Sequence, residues 1–197
     1  MLSYLVSFRY TKAVLKPRAQ LRSVTEITPS WLQQRGLKGV LLDLDNTLVP
    51  YKTYGEAPEG LLAWLQSLKK AGVPVMLVSN ASPRRVRYWC EKLGIPGFGL
   101  AGKPWFGLRK AARLLGLPPR EVAVVGDQLF TDVLGGNLVG MYTVLTPALS
   151  QDELMYTRMV RKLERWVLNN RSFGPTRGVN EEYDPQDSCR NLKISKD

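Results

Sequence analysis

Hydrophobic residues along the chain occur in two patterns, short continuous runs and longer stretches with a helical spacing. The continuous runs read GVLLDLD, VPVMLVS, EVAVVGD and MYTVLT, and glycine, proline or charged residues bound each of them. Between them lie amphipathic segments such as EGLLAWLQSLKKAG and SPRRVRYWCEKLG. Continuously apolar strands that alternate with helices are typical of a parallel sheet that is covered on both faces. The pattern therefore predicts an α/β fold, a three-layer α/β/α domain around a parallel sheet.

Capping residues mark where several helices begin and end. Thr28 and Ser82 each precede a proline and an amphipathic run, which is the expected start of a helix. Gly36 and Gly72 follow two of these runs, where helices commonly end. The segments KPWFGLRKAARLLG and TDVLGGNLVG predict two further helices, and residues 152–169 predict a last, basic amphipathic helix.

Polar residues follow the apolar part of three predicted strands. Asp43 and Asp45 end the first strand, Ser79 and Asn80 follow the second, and Asp127 closes the third. Ligands of parallel sheets bind at this carboxyl edge. Side chains two apart on a strand point the same way, so we expect Asp43 and Asp45 to face one site. Such neighbouring carboxylates repel unless a cation lies between them, and Mg²⁺ prefers oxygen ligands.

The loops after these strands add groups that suit a phosphate. Asp127 is a further candidate metal ligand, and Asp132 in GDQLFTD supplies another acid. The Ser79 hydroxyl, Asn80 and nearby backbone N–H groups lie beside a helix start, which favours an anion. Lys103, with Mg²⁺, can neutralise charge on phosphoryl oxygens. Each feature is common by itself, but their order along one chain predicts a phosphoryl-transfer site.

Composition excludes several other kinds of chemistry. The 197 residues contain no histidine, which excludes Ser-His-Asp and Cys-His nucleophiles, HExxH zinc sites and histidine phosphotransfer. The two cysteines, Cys90 and Cys189, have neither metal-ligand spacing nor a disulfide framework, and they suggest a reducing compartment. Catalysis would therefore depend on carboxylates, hydroxyls, lysine or a metal ion.

Positive charge is concentrated at the N-terminus. Of the formal net charge of +11, residues 1–38 carry +6, from seven Lys or Arg and one acid. This arm suggests a polyanionic neighbour, either an anionic membrane surface or nucleic acid, and the alternative is a solvated surface without a partner. Residues 1–16 fit a segment in a membrane interface and a helix packed on the domain equally well. No apolar run approaches the roughly 20 residues of a transmembrane helix, and Arg9 and Lys12 argue against a signal peptide.

We expect three parts in the chain. Residues 1–38 form a basic arm with a short helix, residues 39–170 form the α/β domain, and residues 171–197 form an irregular or disordered tail. The predicted helix over residues 152–169 has a basic face that could approach a membrane. Its apolar residues are spaced for burial, and this favours packing against the core.

Four motifs, DLDNTL, VSNAS, GKPW and VGDQLFTD, resemble in order those of the haloacid dehalogenase (HAD) superfamily. The fuller strings LKGVLLDLDNTLVP and VGDQLFTDVLGGNLVGMYTVL resemble the YqeG-type phosphatases of subfamily IIIA, relatives of the mitochondrial and plastid phosphatidylglycerophosphate phosphatases. The resemblance covers roughly residues 23–146. It implies a Rossmann-like HAD fold and a Mg²⁺-dependent phosphatase that acts through an aspartyl-phosphate.

The resemblance also implies catalytic roles for the matching carboxylates. Asp43 would attack phosphorus, and Asp45 would protonate the departing alkoxide and then activate the hydrolytic water. Asp43, the backbone carbonyl of Asp45, and Asp127 would hold Mg²⁺. An acid two residues after the nucleophile is the mark of phosphatases in this superfamily.

Further residues would support this chemistry. By the resemblance, Ser79 and Lys103 would bind the phosphoryl group, and Asp132 would be a second-shell or additional metal partner. Asn80 would contribute to the same phosphate cradle. We expect Thr47 to brace the loop after the first strand by hydrogen bonding.

Spacing along the chain indicates an uncapped site. The interval from Val49 to Pro58 and the interval from residue 80 to 103 are both too short for a cap domain of about 50 residues. An open site suits a phosphate attached to something large, and phosphatidylglycerophosphate in an anionic bilayer explains most features. The enzyme is then expected in the cytoplasm, in peripheral contact with the inner face of a membrane.

Two alternatives remain at this stage, and the sequence leaves the oligomeric state open. The first is a phosphatase for another bulky substrate, such as a nucleic-acid 3′-phosphate or a phosphoprotein. The second is a non-catalytic nucleic-acid-binding or scaffold protein on the same fold. Nucleic acid is not the expected partner, because no basic groove with interleaved aromatic residues stands out.

Overall fold

Six parallel strands form one sheet in the computed structural model, which describes residues 14–150. The strands are β1 (Ala19–Gln20), β2 (Gly39–Leu42), β3 (Val75–Val78), β4 (Gly97–Phe98), β5 (Val122–Gly126) and β6 (Tyr142–Leu145). Their order across the sheet is β1-β6-β5-β2-β3-β4, and every neighbouring pair is parallel. The central strands β2, β3 and β5 are buried along their whole length, as continuously apolar runs predict.

Helices connect the strands and cover both faces of the sheet. They are α1 (Pro29–Gln34), α2 (Leu61–Lys70), α3 (Pro83–Leu93), α4 (Gly107–Leu114) and α5 (Leu134–Val139). Short 3-10 turns span Val24–Glu26 and Pro119–Glu121, and a π-helical turn spans Leu129–Val133. The Thr28 side chain accepts a hydrogen bond from the Trp31 N–H at 3.1 Å, and Ser82 accepts one from the Arg85 N–H at 3.4 Å. Both predicted N-caps are therefore confirmed.

Two hydrophobic cores, one on each face, hold the three layers together. Alternate residues of a strand point to opposite faces, so Leu42 packs with Leu65 and Trp89 while Leu41 packs with Leu108. Helices α1, α2 and α3 supply the first core, and α4 supplies the second. The predicted three-layer α/β/α arrangement is confirmed.

The structure differs from the sequence prediction at the sheet edges and in the arm. β1 and β4 were not predicted, because two residues are too few to show a hydrophobic period. β1 pairs with β6, and Val24, Ile27 and Leu32 are buried in the larger core. Residues 19–37, which the sequence assigns to the basic arm, are therefore part of the domain.

Helix α4 also begins four residues later than the motif suggests. Residues 103–106 form a turn, and the helix starts at Gly107. The predictions for residues 1–13, for the helix over residues 152–169 and for the tail lie outside the described residues. Among residues 14–150, no helix combines the length and the apolar character needed to cross a bilayer.

Candidate active site

The polar residues that follow the central strands lie at one edge of the sheet. β2 ends at Leu42, and the Asp43 N–H donates to the Val125 carbonyl of β5 at 2.9 Å. Ser79 directly follows β3, and Asp127 directly follows β5. Because β2 lies between β3 and β5, these three residues reach the carboxyl edge side by side.

Three carboxylates and one ammonium group form a buried cluster at this edge, which we call the acidic cluster. Asp43, Asp127 and Asp132 each offer an oxygen that lies within 4.8 Å of the others. The Lys103 Nζ donates to Asp43 Oδ1 at 2.7 Å and to Asp132 Oδ1 at 2.6 Å. All four residues are buried. Loops after three different strands therefore bring these predicted residues together.

Close backbone contacts fix the positions of Asp132 and Lys103. A Cβ atom on Gly126 would lie 2.1 Å from Asp132 Oδ2, so glycine alone lets this carboxylate lie against the end of β5. The Gln128 N–H donates to the same oxygen at 3.3 Å. Asn80 Oδ1 accepts from the Lys103 N–H at 3.0 Å, and Asn80 Nδ2 donates to the Lys103 carbonyl at 3.3 Å. Asn80 thereby holds the backbone that carries the lysine.

Burial and charge together determine the protonation of the cluster. Burial raises the pKa of Asp43 to about 6; the ammonium group of Lys103 opposes this rise, and the carboxylate of Asp132 adds to it. Burial acts to lower the pKa of Lys103, but the Asp132 and Asp43 carboxylates outweigh it and raise the pKa. The lysine therefore remains charged at neutral pH.

The donor set of the cluster suits a divalent metal ion. Three carboxylates and one ammonium group give a formal net charge of −2 when all are ionised. Uncompensated charge is costly in a buried place, and one divalent cation would balance it. All three carboxylates supply oxygen, the ligand that hard cations prefer. The residues present therefore fit a bound divalent cation.

The carboxylate of Asp45 pairs with the guanidinium group of Arg85, whereas the carboxylate of Asp43 pairs with the ammonium group of Lys103. Arg85 Nε and Nη2 donate to Asp45 Oδ1 at 3.0 Å and 2.7 Å, and the Lys52 N–H donates to it at 3.1 Å. Since β2 ends at Leu42, both aspartates lie in a loop where strand alternation no longer sets the side-chain direction. Sequence reasoning missed Arg85, which is only 4% exposed. The sequence does contain one feature that could have indicated this role: Arg85 lies in the first turn of a predicted helix, which begins at the same edge of the sheet as the Asp43–Asp45 loop.

The loop after Asp45 is braced by Asn46 within the described residues. Asn46 has a φ of 64°. Its Oδ1 accepts hydrogen bonds from the Tyr51 N–H at 3.2 Å and from the Ser150 hydroxyl at 2.6 Å. The buried Thr47 hydroxyl, for which we expected this role, has no hydrogen-bond partner within residues 14–150.

Ser79 lies at the end of β3, close to the start of α3. Its side chain is 2% exposed, and its hydroxyl oxygen accepts a hydrogen bond from the Ala81 N–H at 3.2 Å. The Ser82 hydroxyl caps α3 three residues later in the chain. Ser79 therefore lies where the sequence predicts it, between a strand end and a helix start.

Comparison with known proteins connects this arrangement with a family of hydrolases. Residues 51–140 match the haloacid dehalogenase-like hydrolases. The probable phosphatase YqeG of Bacillus subtilis is 38% identical over 159 residues, which cover 80% of this chain and 92% of that protein.

Two phosphatases of photosynthetic organisms are also similar. The match to phosphatidylglycerophosphate phosphatase 1, chloroplastic/mitochondrial, of Arabidopsis thaliana is 28% identical and covers 77% of this chain and 48% of that enzyme. The match to the chloroplastic enzyme of the same name from Chlamydomonas reinhardtii is 33% identical and covers 73% of this chain and 57% of that enzyme. The chain thus spans about half the length of these two enzymes. Its likeness to YqeG, by contrast, extends over nearly the whole of that protein, and the chain therefore belongs to the haloacid dehalogenase-like hydrolases as a phosphatase of the YqeG type.

Proposed function

We propose that this phosphatase hydrolyses the terminal phosphomonoester of phosphatidylglycerophosphate to give phosphatidylglycerol, with Mg²⁺ as cofactor. The observation that carries the proposal is the acidic cluster, in which Lys103 contacts both Asp43 and Asp132 at the carboxyl edge of the sheet. Paired carboxylates beside a fixed ammonium group are suited to a phosphoryl group, whose charge spreads over several oxygens.

Asp43 is the nucleophile in this proposal. A carboxylate oxygen of Asp43 attacks phosphorus, the bond from phosphorus to the lipid oxygen breaks, and Asp45 gives its proton to the departing alkoxide. Asp45 then takes a proton from water, whose oxygen attacks phosphorus, and the bond between phosphorus and Asp43 breaks. Inorganic phosphate leaves, and Asp43 is again a free carboxylate. Arg85 orients the Asp45 carboxylate through the hydrogen bonds described above.

The remaining residues of the site hold the phosphoryl group and the metal ion. Lys103 stays charged and stabilises the phosphoryl oxygens, while Ser79 binds the same group and Asn80 fixes the lysine backbone. Asp43, the backbone carbonyl of Asp45, and Asp127 would hold Mg²⁺, and Asp132 belongs to the same group of carboxylates as Asp43 and Asp127. When bound, the cation would neutralise charge on the phosphoryl oxygens.

The lack of an inserted cap within residues 14–150 and the basic character of the chain support a lipid as the substrate. Residues 43–60 form a loop with no inserted helix, and α3 is the one helix between β3 and β4, so no cap covers the edge within residues 14–150. Such an edge can approach a phosphate that remains in a bilayer. The net charge of +11 favours an anionic surface. Two relatives carry the name phosphatidylglycerophosphate phosphatase.

Phosphate release from three substrates tests the proposal. The full chain is assayed with and without Mg²⁺ on phosphatidylglycerophosphate in liposomes, on a 3′-phosphorylated oligonucleotide and on a generic aryl phosphate. We expect Mg²⁺-dependent turnover of the lipid and the aryl phosphate, and little of the oligonucleotide. Asp43→Asn should abolish every activity, whereas Glu59→Gln, which removes an exposed acid away from the cluster, should change none.

The pattern of turnover separates the competing functions. Faster release from the oligonucleotide than from the lipid would replace the lipid proposal by a nucleic-acid end phosphatase. Hydrolysis of the aryl phosphate without lipid turnover would contradict the substrate but leave the chemistry intact. An active Asp43→Asn variant would refute the proposed nucleophile.

A further inference from the structure

An exposed surface of aromatic and basic residues begins two residues after Lys103 of the acidic cluster and takes no part in the chemistry proposed above. We call it the aromatic rim, and it consists of Trp105, Phe106, Leu138, Arg109, Lys110 and Arg113. Trp105 is 65% exposed and Phe106 is 79% exposed. The rim borders a cavity of about 580 Å³ between α4 and α5. Large exposed apolar groups that lie together commonly mark an interaction surface.

Backbone hydrogen bonds define the turn that carries the two rings. The Gly102 carbonyl accepts from the Trp105 N–H at 2.9 Å and from the Phe106 N–H at 3.2 Å. A Cβ atom on Gly107 would lie 2.4 Å from the Ala101 carbonyl oxygen, so the start of α4 lies directly against this loop. The fixed backbone therefore presents both rings to solvent, and their exposure does not come from a frayed chain end.

Positive charge flanks the exposed rings. Helix α4, with the sequence GLRKAARL, contains three basic residues and no acid. None of the ion pairs formed within residues 14–150 includes Arg109, Lys110 or Arg113. The Lys110 Nζ lies over the Phe98 ring, 4.8 Å from its centroid, so within the described residues these cations are free of carboxylate partners but not of every contact. Aromatic rings beside cations without carboxylate partners are typical of segments that lie in the interface of an anionic bilayer, where the rings enter the headgroup region and the cations meet lipid phosphates.

We propose that the aromatic rim inserts into the interface of an anionic lipid bilayer and presents the acidic cluster to a phosphate carried by a membrane lipid. Trp105 is two residues from Lys103, so their Cα atoms lie within about 7 Å of each other. Insertion of the rings would therefore bring the backbone that carries the phosphate-binding lysine close to the bilayer surface. The role of the aromatic rim in presenting substrate rests on the proposed lipid substrate, whereas binding of the rim to a bilayer can be measured without any catalysis.

Charge and composition favour a bilayer over other occupants of the rim. A second copy of the chain would bring two groups of three cations face to face, and like charges across an interface repel. Nucleic acid stacks on rings and binds cations, but it leaves the aliphatic Leu138 and the nearby Leu100, which is 70% exposed, without a partner. In an anionic bilayer the glycerol and acyl region would contact the leucines and the rings, and the lipid phosphates would contact the cations.

Flotation of the full chain with liposomes tests the inference without any turnover. The vesicles contain either phosphatidylcholine alone or phosphatidylcholine with phosphatidylglycerol, and EDTA removes divalent cations. We expect the wild type to float with the anionic vesicles. Trp105→Ser together with Phe106→Ser should weaken partitioning about 100-fold, about tenfold for each ring removed from the interface. The matched control is Leu62→Ser, which removes an exposed leucine from α2 on the opposite face of the sheet.

Two further measurements locate the contact. Bromine-labelled lipid quenches tryptophan emission, so the quenched fraction should fall in Trp105→Phe, which keeps an apolar ring but removes this fluorophore. Replacement of Arg109, Lys110 and Arg113 by glutamine should weaken binding to anionic vesicles and flatten its dependence on salt, because each cation near the surface adds to the attraction. All of these variants should hydrolyse an aryl phosphate at the wild-type rate.

The outcomes distinguish this inference from the proposed function. If the wild type binds vesicles through the rings yet releases no phosphate from lipid, the substrate is wrong and the surface stands. If the wild type does not float, or if the double serine variant floats equally well, the aromatic rim is not a membrane surface. A change in sedimentation mass of that variant, with unchanged vesicle binding, would instead identify the rim as a protein contact and overturn the proposal.

Discussion

Replacement of Gly126 by alanine should damage the active site through a single added methyl group. The new Cβ would lie 2.1 Å from Cγ and Oδ2 of Asp132, about 1.3 Å short of the 3.4 Å at which ordinary contact begins. The Asp132 carboxylate must therefore move by about that amount, since Gly126 belongs to the central strand β5 and is held by its neighbours. Asp132 Oδ1 now lies 2.6 Å from the Lys103 Nζ, and a shift of this size is enough to break that hydrogen bond.

The expected magnitude follows from the size of this displacement. A misplacement of about 1 Å in a catalytic site commonly costs about 100-fold in rate, so kcat should fall about 100-fold. Overpacking of a core costs about 1–3 kcal/mol, so the free energy of unfolding should fall by a similar amount. Loss of the Asp132 contact should also weaken Mg²⁺ binding, because groups that orient metal ligands typically contribute tenfold or more to affinity.

Gly39→Ala is the matched control for this experiment. Its Cβ would lie 2.6 Å from the Leu117 Cδ1, the far end of a flexible side chain that can move aside. Gly39 begins β2, four residues and about 13 Å from Asp43 along the strand direction. Gly39→Ala should therefore lose about 1 kcal/mol of stability and keep its kcat.

Three assays on purified protein decide the comparison. Urea unfolding gives the stability of both variants, initial rates on an aryl phosphate give kcat, and calorimetry gives Mg²⁺ affinity. The reasoning is refuted if Gly126→Ala keeps wild-type kcat and metal affinity, or if Gly39→Ala loses as much activity as Gly126→Ala does.

Three further predictions concern the charges of the site. Asp43→Asn should lower turnover at least about 10⁴-fold yet leave the fold intact, because Lys103 keeps its 2.6 Å contact with Asp132. Phosphate release measures the turnover and circular dichroism the fold, and an unfolded variant would show that the aspartate is structural. Arg85→Met should slow release from an alkyl phosphate more than from an aryl phosphate, whose leaving group needs no proton, and equal losses would mean that Arg85 does not act through Asp45. Mg²⁺ affinity should be constant above pH 6 and fall about tenfold for each pH unit below it. Burial raises the pKa of Asp43 to about 6, and the protonated acid must lose its proton to bind the metal. Calorimetry from pH 5 to 8 checks this, and an affinity that is independent of pH would contradict it.

Local patterns along the chain were sufficient to predict the central sheet and the edge at which the site lies. β2, β3 and β5 are fully buried, so each reads as an uninterrupted apolar run that ends in a polar residue. The parallel arrangement then places Asp43, Ser79 and Asp127 at one edge without further information. The same logic could not reveal β1 and β4, whose two residues are ordered by neighbouring strands and not by their own sequence.

Residues whose roles depend on long-range contacts were the ones missed. Arg85 occurs in a helix rich in charged residues, where sequence alone suggests exposure, and it is buried because Asp45, 40 positions earlier, accepts its hydrogen bonds. Asn46 braces its loop through Ser150, 104 positions away. The segment KPWFGLRKAARLLG predicts a helix that includes Trp105 and Phe106, yet a turn that begins at Gly102 precedes the helix and leaves both rings in solvent.

The central claim is that Asp43 forms a covalent phosphoryl intermediate in the acidic cluster, and acid quenching tests it most directly. Asp45→Asn should slow hydrolysis of this intermediate, and an aryl phosphate still allows it to form because its leaving group needs no protonation. The variant is mixed with Mg²⁺ and the aryl phosphate, quenched in acid, digested and analysed by mass spectrometry. We predict that the peptide containing Asp43 gains one phosphoryl group, and that Asp43→Asn prevents it. A phosphoryl group on any other residue, or phosphate release by the wild type with no phosphorylated Asp43 in the variant, would contradict the account.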